Sequence, residues 1–350
     1  MSEPLVTIVI PVFNGAEHLR ECLESVLAQT YSNWRAVVMD NRSTDGTAAI
    51  ADEFALRDAR VRVIHAREFV AKNENYNRAI AHADGEASYI KLLEADNWIT
   101  ADCLEKTVRL AEKDPAIGLV TSFSHSGGSP KRELLANPDQ IFSGREAVRQ
   151  FYRNGPYLFG APTCMLFRAS ALREEPVWFR PIGCCDDVDL CLRVLRKWKF
   201  GYVRQILAFI RVDETGAFSK VRELNYRPAY MHFSIQAYGE DFFAGRELVE
   251  VRSDWERQYF DCLGRAAITG RTKAYWEFHR RMFESAGQKL RARDLVLPAT
   301  RTLISFGLKP KTTVVKFVKR IKGKRSPEKN TRNLNGNNFA RDQVKAESML

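Results

Sequence analysis

The first 125 residues alternate between apolar runs and amphipathic segments, and this alternation constrains the fold more than any other feature. Five runs have the composition of buried strands: LVTIVIPVF (5–13), WRAVVMD (34–40), VRVIH (61–65), SYIKLL (88–93) and IGLVTSF (117–123). The segments between them predict helices at 16–29, 46–57, 74–83 and 101–113. Apolar strands separated by amphipathic helices indicate a mostly parallel sheet with helices on both faces. The sequence therefore predicts an α/β fold.

Polar side chains follow three of these strands. Asn14 follows the first strand, Asp40 ends the second, and Glu94 and Asp96 follow the fourth. Ligands of open parallel sheets bind beyond the carboxyl ends of the strands, so we expect these side chains to share one crevice. Asn14 has a second interpretation, because with Glu17 three residues later it resembles a capping box for the first helix.

The turn after the first strand lacks the glycines of a nucleotide-binding loop. PVFNGAEHL contains no G-x-G-x-x-G, and the chain has no G-x-x-x-x-G-K-[ST], which disfavours a dinucleotide fold and a P-loop. A diphosphate then needs another partner. Carboxylates that hold Mg²⁺ or Mn²⁺ supply one, because the metal bridges to phosphate oxygens. Glu94 and Asp96 are the candidate ligands.

Composition disfavours several other classes. No apolar run reaches the roughly 20 residues of a transmembrane helix, and MSEPLVTIVIPVF lacks the basic start of a secretion signal. The 7 cysteines are scattered and lack paired CxxC spacing, so reduced thiols are expected rather than a zinc site. These features predict a cytoplasmic protein.

Several stretches resemble the family 2 glycosyltransferases, which have the GT-A fold. VTIVIPVFNGAEHLRECLESVLAQTYSNWRAVVMDNRSTDGT resembles their opening, and YIKLLEADNWI resembles their metal-binding DxD region. GAPTCMLFRASAL and DDVDLCLRV resemble their acceptor loop and ED motif. The resemblance covers residues 5–215. It implies an inverting transfer of a sugar from a nucleotide-diphosphate donor to a hydroxyl group, with Mg²⁺ or Mn²⁺ on the diphosphate.

The resemblance also implies the residues that hold the donor. By position, Pro11, Val12 and Asn14 would line the nucleotide base, and Asp40 would accept a hydrogen bond from that base. Asp45 lies in the STDGT turn, and holding that turn is its expected role.

The remaining acids receive roles in the same way. Glu94 and Asp96 match the DxD positions, so that one contacts ribose or metal and Asp96 binds the metal beside the diphosphate. Asp187 matches the general base of the ED motif, with Asp186 as the competitor for that role. Asp189 is expected to favour the dipole of its helix.

The chain departs from the family pattern in several places, including three acid or histidine positions. Glu94 replaces the usual first aspartate, Asn97 replaces an acid that often follows, and Asp213 stands where the family often has histidine. Arg211 would then contact the diphosphate in place of that histidine. These departures favour an alternative function, a catalytically weak or inactive protein that binds a nucleotide-sugar.

Three regions are predicted along the chain. Residues 1–215 form a GT-A catalytic domain, 216–300 a helical C-terminal region, and 301–350 a basic, partly disordered tail. The order α/β domain, helices and polar tail follows from the change of pattern along the sequence.

Basic residues concentrate near the C-terminus of this chain of net charge +11. Residues 295–327 contain nine Lys or Arg and no Asp or Glu. TTVVKFVKRIK (312–322) suits an amphipathic helix on an anionic membrane, or a helix packed on the domain with a solvated basic face. With the resemblance, this predicts a peripheral protein at the inner face of the cell membrane. Its acceptor would be a glycan or lipid-linked molecule of cell-envelope polysaccharide biosynthesis. A nucleic-acid partner is disfavoured, because RNP aromatics and zinc fingers are absent from the sequence.

Overall fold

A computed structural model describes residues 3–126, 129–130, 141–153, 158–182, 184–211 and 223–308. Their strands are β1 (Val6–Val12), β2 (Trp34–Asp40), β3 (Val61–His65), β4 (Tyr89–Leu92), β5 (Trp98–Ile99), β6 (Ile117–Ser126), β7 (Ser129–Pro130), β8 (Ile141–Phe142), β9 (Leu166–Arg168) and β10 (Lys199–Ile210).

Helices occupy most of the intervening chain and the C-terminal part. They are α1 (Leu19–Leu27), α2 (Thr47–Arg57), α3 (Lys72–Ala81), α4 (Cys103–Ala111), α5 (Gly144–Tyr152), α6 (Ala169–Arg173), α7 (Asp186–Val194), α8 (Tyr226–Phe242), α9 (Gly245–Thr269), α10 (Lys273–Ser285) and α11 (Val296–Leu308). Short 3₁₀ turns lie at Pro162–Cys164 and Ala292–Leu295.

The ten strands among these residues form one sheet in the order β3-β2-β1-β4-β9-β6-β10-β5, with β7 on β6 and β8 on β10. Strands β3, β2, β1 and β4 are parallel to one another. Strand β9 is antiparallel to both of its neighbours, β4 and β6. The predicted α/β class with helices around a central sheet is confirmed, and the insertion of β9 makes that sheet mixed.

The core forms where the apolar strands meet the apolar faces of the helices. All seven residues of β1 are buried, and α1 adds the fully buried side chains of Leu19, Leu23 and Val26. Each such side chain contributes about 1.5–3 kcal/mol by leaving water. This packing holds β1, β2 and β4 in register, so that Val12 lies beside Asp40 and Val9 beside Leu92. The carboxyl ends of these strands therefore lie at one edge.

The predicted capping box of the first helix is wrong. Helix α1 begins at Leu19, and its preceding residue, His18, makes no side-chain cap. Asn14 instead adopts a backbone φ of 50°, and its Oδ1 accepts a hydrogen bond from the Thr44 N–H at 2.8 Å. The Asn14 side chain thus bonds to the loop after β2, whereas the sequence pattern assigned it to the N-terminus of α1.

The described residues divide into two compact units. One unit contains the chain up to residue 211 together with 234–251, and the other contains 223–233 and 252–308. Helices α8 to α11 provide the expected helical C-terminal region. Across the described ranges, every helix is too short or too polar to span a bilayer. The predicted helix at 312–322 and nearly all of the predicted tail lie outside the described residues.

Candidate active site

Asp40 is anchored at the end of β2. The residue is 3% exposed. Its Oδ1 accepts a hydrogen bond from the Ser43 N–H at 3.0 Å, and its Oδ2 lies 3.1 Å from His65 Nδ1. The hydrogen bond to Asp40 raises the pKa of His65 above its ordinary value, and the carboxylate of Asp52 acts in the same direction. The carboxylate is therefore held in one orientation beside Val12.

The segment after β1 combines buried backbone with exposed aromatic side chains. Pro11 and Val12 are buried and pair with Met39 and Asp40 of β2. Phe13 is 47% exposed and its ring centroid lies 4.8 Å from that of Phe69, which is 57% exposed. This aromatic pair at the sheet edge was not identified from the sequence.

Asp45 has the turn-holding role that the sequence predicted. Its Oδ1 accepts a hydrogen bond from the Thr47 N–H at 2.9 Å, and its Oδ2 accepts one from the Ala16 N–H at 3.2 Å. Desolvation opposes the charge on Asp45, but hydrogen bonds from the Thr47 hydroxyl and from these backbone groups outweigh it and lower the pKa of the carboxyl. Asp45 thereby connects the loop after β2 to the loop after β1.

Glu94 follows β4 and is surrounded by donors. The Tyr76 hydroxyl donates to Oε1 at 2.8 Å, and Asn97 Nδ2 donates to Oε2 at 3.2 Å. Lys72 Nζ lies 3.5 Å from Oε1. The backbone N–H of Glu94 donates to Thr163 Oγ1 at 3.1 Å. Both oxygens of this carboxylate are thus engaged by groups of the protein.

Asp96 presents a more accessible carboxylate. The residue is exposed, and no Lys, Arg or His of the described chain lies within ion-pair distance of its side chain. Desolvation raises the pKa of Asp96, and the charge of Glu94 raises it further, whereas Lys72 and His18 oppose the shift. A carboxylate with a raised pKa gains from a cation, because a cation favours its charged form.

Asn97 and Arg211 complete the segment around the two acids. The Asn97 side chain is buried, and its Oδ1 accepts the Arg211 N–H at 2.9 Å. Arg211 Nε donates to the carbonyl of Asp96 at 3.0 Å. The guanidinium lies 4.9 Å from the Trp98 ring centroid and pairs with Glu21. Arg211 therefore lies beside the acids, with part of its guanidinium already paired.

Asp187 lies in the first turn of α7, after Cys185 with a backbone φ of 56°. Desolvation raises the pKa of Asp187 to about 6, and the charges of Glu94 and Asp186 add to this rise. The Val188 N–H and Lys72 oppose it. Such a pKa leaves the carboxylate mostly ionised at neutral pH and more basic than an ordinary aspartate.

The neighbouring acids of α7 have different surroundings. Asp186 Oδ1 is buried and has no hydrogen-bond partner in the described structure, and desolvation raises the pKa of this carboxyl. Asp189 is buried, and its Oδ2 lies 2.9 Å from Arg193 Nε. Asp189 is therefore a partner in a buried ion pair, in addition to its favourable place at the helix start.

Helix α3 connects Glu94 to the loop that precedes α7. Asn73 Nδ2 donates to the Arg180 carbonyl at 2.9 Å. The side chain of Asn77 donates to the Phe179 carbonyl at 3.0 Å and accepts the Phe179 N–H at 2.8 Å. The ring of Tyr76 packs on Phe179, with centroids 4.5 Å apart. One face of α3 thus contacts both segments that carry the acids.

The predicted residues separate into two groups. Glu94, Asp96 and Asp187 form one electrostatic cluster, since each of them shifts the pKa of Lys72. Asp40, with Pro11, Val12 and Asn14, lies at the same sheet edge but belongs to the ends of β1 and β2 and the loop after β1. Lys72 was missed from the sequence. It lies four residues before Tyr76, a spacing that places both on one helical face, but the pattern does not show what that face contacts.

The oxygen atoms around Asp96 and Glu94 differ in how well they suit a divalent cation. In the ranges that the structure describes, no group of three or more His, Cys, Asp and Glu side chains is arranged for a metal. Asp96 fits as an oxygen ligand because its carboxylate is accessible. Glu94 fits less well as a direct ligand, because Tyr76, Asn97 and Lys72 already engage its oxygens.

Residues 7–175 match the protein family described as Glycosyl transferase family 2. This segment belongs to glycosyl transferase family 2. The family 2 segment includes β1 to α6 and the two acids after β4, and the resemblance inferred from the sequence is confirmed.

Relatives of the family 2 segment include bacterial proteins. An uncharacterized glycosyltransferase of Rickettsia typhi is 52% identical over 220 residues, which are 60% of this chain and 65% of that protein. Glycosyltransferase GlyG of Streptococcus pneumoniae is 33% identical over 132 residues, which are 37% of this chain and 43% of GlyG. The chain thus spans less than half of the length of GlyG.

Two solved structures show the same fold at low sequence identity. Staphylococcus aureus TarS 1–349 in complex with UDP-GlcNAc has a TM-score of 0.55 and 13% identity, covering 78% of this chain and 75% of TarS 1–349. The mannosyltransferase PcManGT of Pyrobaculum calidifontis, in complex with GDP-Man and Mn²⁺, has a TM-score of 0.54 and 16% identity, covering 90% and 84%. The GT-A fold expected for this chain is confirmed.

Proposed function

We propose that the protein is an inverting glycosyltransferase that moves a sugar from a nucleotide-diphosphate donor to a hydroxyl group. The observation that carries this proposal is the cluster that Glu94 and Asp96, within the family 2 segment, form with Asp187 of α7, which lies after that segment. The two structural neighbours that hold UDP-GlcNAc and GDP-Man support a nucleotide-sugar as the donor.

Asp187 acts as the general base. Its carboxylate accepts the proton of the acceptor hydroxyl while that oxygen attacks the anomeric carbon, and the pKa of about 6 suits this task near neutral pH. Asp186 raises the pKa of Asp187 through its charge and is the alternative base. Direct displacement inverts the configuration at the anomeric carbon.

The donor lies along the sheet edge. Pro11, Val12 and Asn14 line the base, and Asp40 accepts a hydrogen bond from it with the orientation fixed by His65. Arg211 lies beside the diphosphate.

A divalent cation fits beside Asp96, and Glu94 adds negative charge near it. Bound Mg²⁺ or Mn²⁺ would neutralise charge on the leaving diphosphate. The structural neighbour that holds Mn²⁺ supports this cofactor.

Titration calorimetry with UDP, GDP, ADP and CDP, each with and without Mn²⁺, tests the donor site. We expect one nucleoside diphosphate to bind, and to bind more tightly when Mn²⁺ is present. Absence of binding by every nucleotide in both conditions would contradict the proposed function.

A protein that binds the nucleotide-sugar without transferring the sugar is the second candidate. The engagement of Glu94 by three protein groups favours it, because a metal ligand is usually more accessible. Asp187→Asn separates the two functions. An enzyme loses transfer and retains donor binding, whereas wild-type protein that shows no transfer or donor hydrolysis is a binder.

The acceptor is a glycan or lipid-linked molecule at the inner face of an anionic membrane. Residues 295–327 carry nine Lys or Arg, and four apolar side chains on α11 are 54–64% exposed: Val296, Leu297, Leu303 and Ile304. Basic charge with exposed apolar side chains suits a membrane surface.

Cosedimentation with vesicles that contain phosphatidylglycerol tests this location. Leu297→Glu and Ile304→Glu are expected to reduce the bound fraction. The matched control is Leu56→Glu on α2, where the leucine is 91% exposed. If Leu297→Glu and Ile304→Glu bind the vesicles as well as Leu56→Glu does, the proposed membrane-binding surface is wrong.

A further inference from the structure

Lys72 is a cation that directly faces the acidic cluster. It is the first residue of α3. Its Nζ lies 3.5 Å from Glu94 Oε1 and 5.6 Å from the ring centroid of Tyr76. The charges of Asp187 and Asp96 also favour its protonated form. The ammonium is therefore close to Glu94 and Asp96 and to the candidate base, Asp187.

The contact of Lys72 with Glu94 leaves the ammonium available. A distance of 3.5 Å exceeds the roughly 2.7–2.9 Å of a charge-assisted hydrogen bond. Glu94 already accepts hydrogen bonds from Tyr76 and Asn97. The Lys72 side chain is 70% exposed, and an ammonium has three N–H donors. Lys72 thus has donors to offer to a ligand.

The negative charge around Lys72 indicates which kind of ligand needs this lysine. Glu94, Asp96, Asp186 and Asp187 are all acidic, so a diphosphate that enters their cluster meets repulsion. One divalent cation beside Asp96 offsets only part of this negative charge. Arg211 adds one positive charge, but its guanidinium already pairs with Glu21 and donates to the Asp96 carbonyl. The proposed transfer therefore favours a further positive group near the phosphates.

We propose that Lys72 binds the donor's β-phosphate and stabilises the leaving nucleoside diphosphate. This inference rests on the proposed function. The acceptor oxygen gives its proton to Asp187 and bonds to the anomeric carbon. The bond between that carbon and the β-phosphate oxygen breaks, and the electron pair stays on the oxygen. A Lys72 N–H donates a hydrogen bond to the phosphate as this charge develops.

The affinities of nucleoside di- and monophosphates test this contact without relying on turnover. The variant is Lys72→Gln, measured by calorimetry with UDP, UMP, GDP and GMP in EDTA and again with Mn²⁺. We expect diphosphate affinity to fall about tenfold or more, as for the loss of a charged hydrogen bond. Monophosphate affinity should change less than about threefold. Lys72→Arg should retain most of the diphosphate affinity.

Lys197→Gln is the matched control. Lys197 is also 70% exposed and also pairs with a glutamate, Glu174, at 2.9 Å. We expect it to bind all four nucleotides like the wild type. If Lys72→Gln preserves the wild-type ratio of di- to monophosphate affinity, the inference is wrong while the proposed function stands. If the wild type binds no nucleotide, both fail.

Discussion

Asp187→Asn is expected to stabilise the fold while abolishing sugar transfer. The partly buried carboxylate of Asp187 is destabilised by desolvation and by the charges of Glu94 and Asp186. The replacement keeps the shape of the side chain and an oxygen that can accept the Val188 N–H. It removes the negative charge of Asp187, which lowers the free energy of unfolding in the wild type.

The magnitude follows from the pKa of Asp187. A rise from 3.8 to about 6 is a shift of about 2 units, which corresponds to about 3 kcal/mol as an upper bound. Because the folded-state pKa is raised, this cost is absent below pH 3.8, develops between 3.8 and about 6, and is complete above that range. Asp187→Asn should therefore raise the free energy of unfolding by up to about 3 kcal/mol at pH 8.

Asp189→Asn provides a contrast on the same helix. Asp189 pairs with Arg193, whose side chain is 1% exposed, and accepts a hydrogen bond from Tyr238. Breaking a buried ion pair costs roughly 3–5 kcal/mol, reduced here because Glu175 also pairs with Arg193. Two aspartates in one helical turn should thus give stability changes of opposite sign.

Urea unfolding at pH 4.5 and pH 8, together with transfer or donor-hydrolysis assays, checks both variants. Asp187→Asn should be more stable than wild type at pH 8, with a smaller gain at pH 4.5 and no activity. Asp189→Asn should be less stable at both pH values. Equal stability of Asp187→Asn and wild type at pH 8 would refute the reasoning about the desolvated carboxylate.

Three further predictions concern separate parts of the chain. Ser143→Ala should lower the free energy of unfolding by about 1 kcal/mol, because Ser143 Oγ accepts the Glu146 N–H at 3.1 Å; urea unfolding measures it, and no change would contradict the cap. His65→Gln should lower Tm more at pH 5.5 than at pH 8.5, because the raised pKa of His65 stabilises the fold at low pH and this contribution is lost as pH rises; an equal loss at both pH values would contradict the pairing with Asp40. Asp96→Asn should remove most of the gain in nucleoside diphosphate affinity that Mn²⁺ produces in calorimetry, and an undiminished gain would exclude Asp96 as the metal contact.

Local periodicity was sufficient to predict the parallel half of the sheet. Strands β1, β2, β3 and β4 and the helices between them lie within a few residues of their predicted positions, because each is a continuous apolar run or an amphipathic segment. The place of β9 could not be predicted in this way. Its three residues pair with β4 and β6, which lie far from it in the chain.

The candidate site was predictable to a similar extent. The convergence of Glu94, Asp96 and Asp187 followed from family motifs, while their chemical roles stay predictions. The capping box predicted for Asn14 and Glu17 was wrong because the Thr44 N–H, in another loop, bonds to the Asn14 side chain. Lys72 was missed because its meaning depends on where α3 packs.

Helix α3 contacts both the segment that carries Glu94 and the loop before α7, so one substitution on it can affect two functions. Tyr76 binds Glu94 through its hydroxyl and packs on Phe179 through its ring, so in the proposed mechanism a single substitution there should disturb donor capture and proton removal together. Kinetic defects that separate cleanly into KM and kcat at Asp96 and Asp187 should be inseparable at Tyr76. Attempts to redesign the proposed transferase for a new sugar should accordingly leave that helix unchanged.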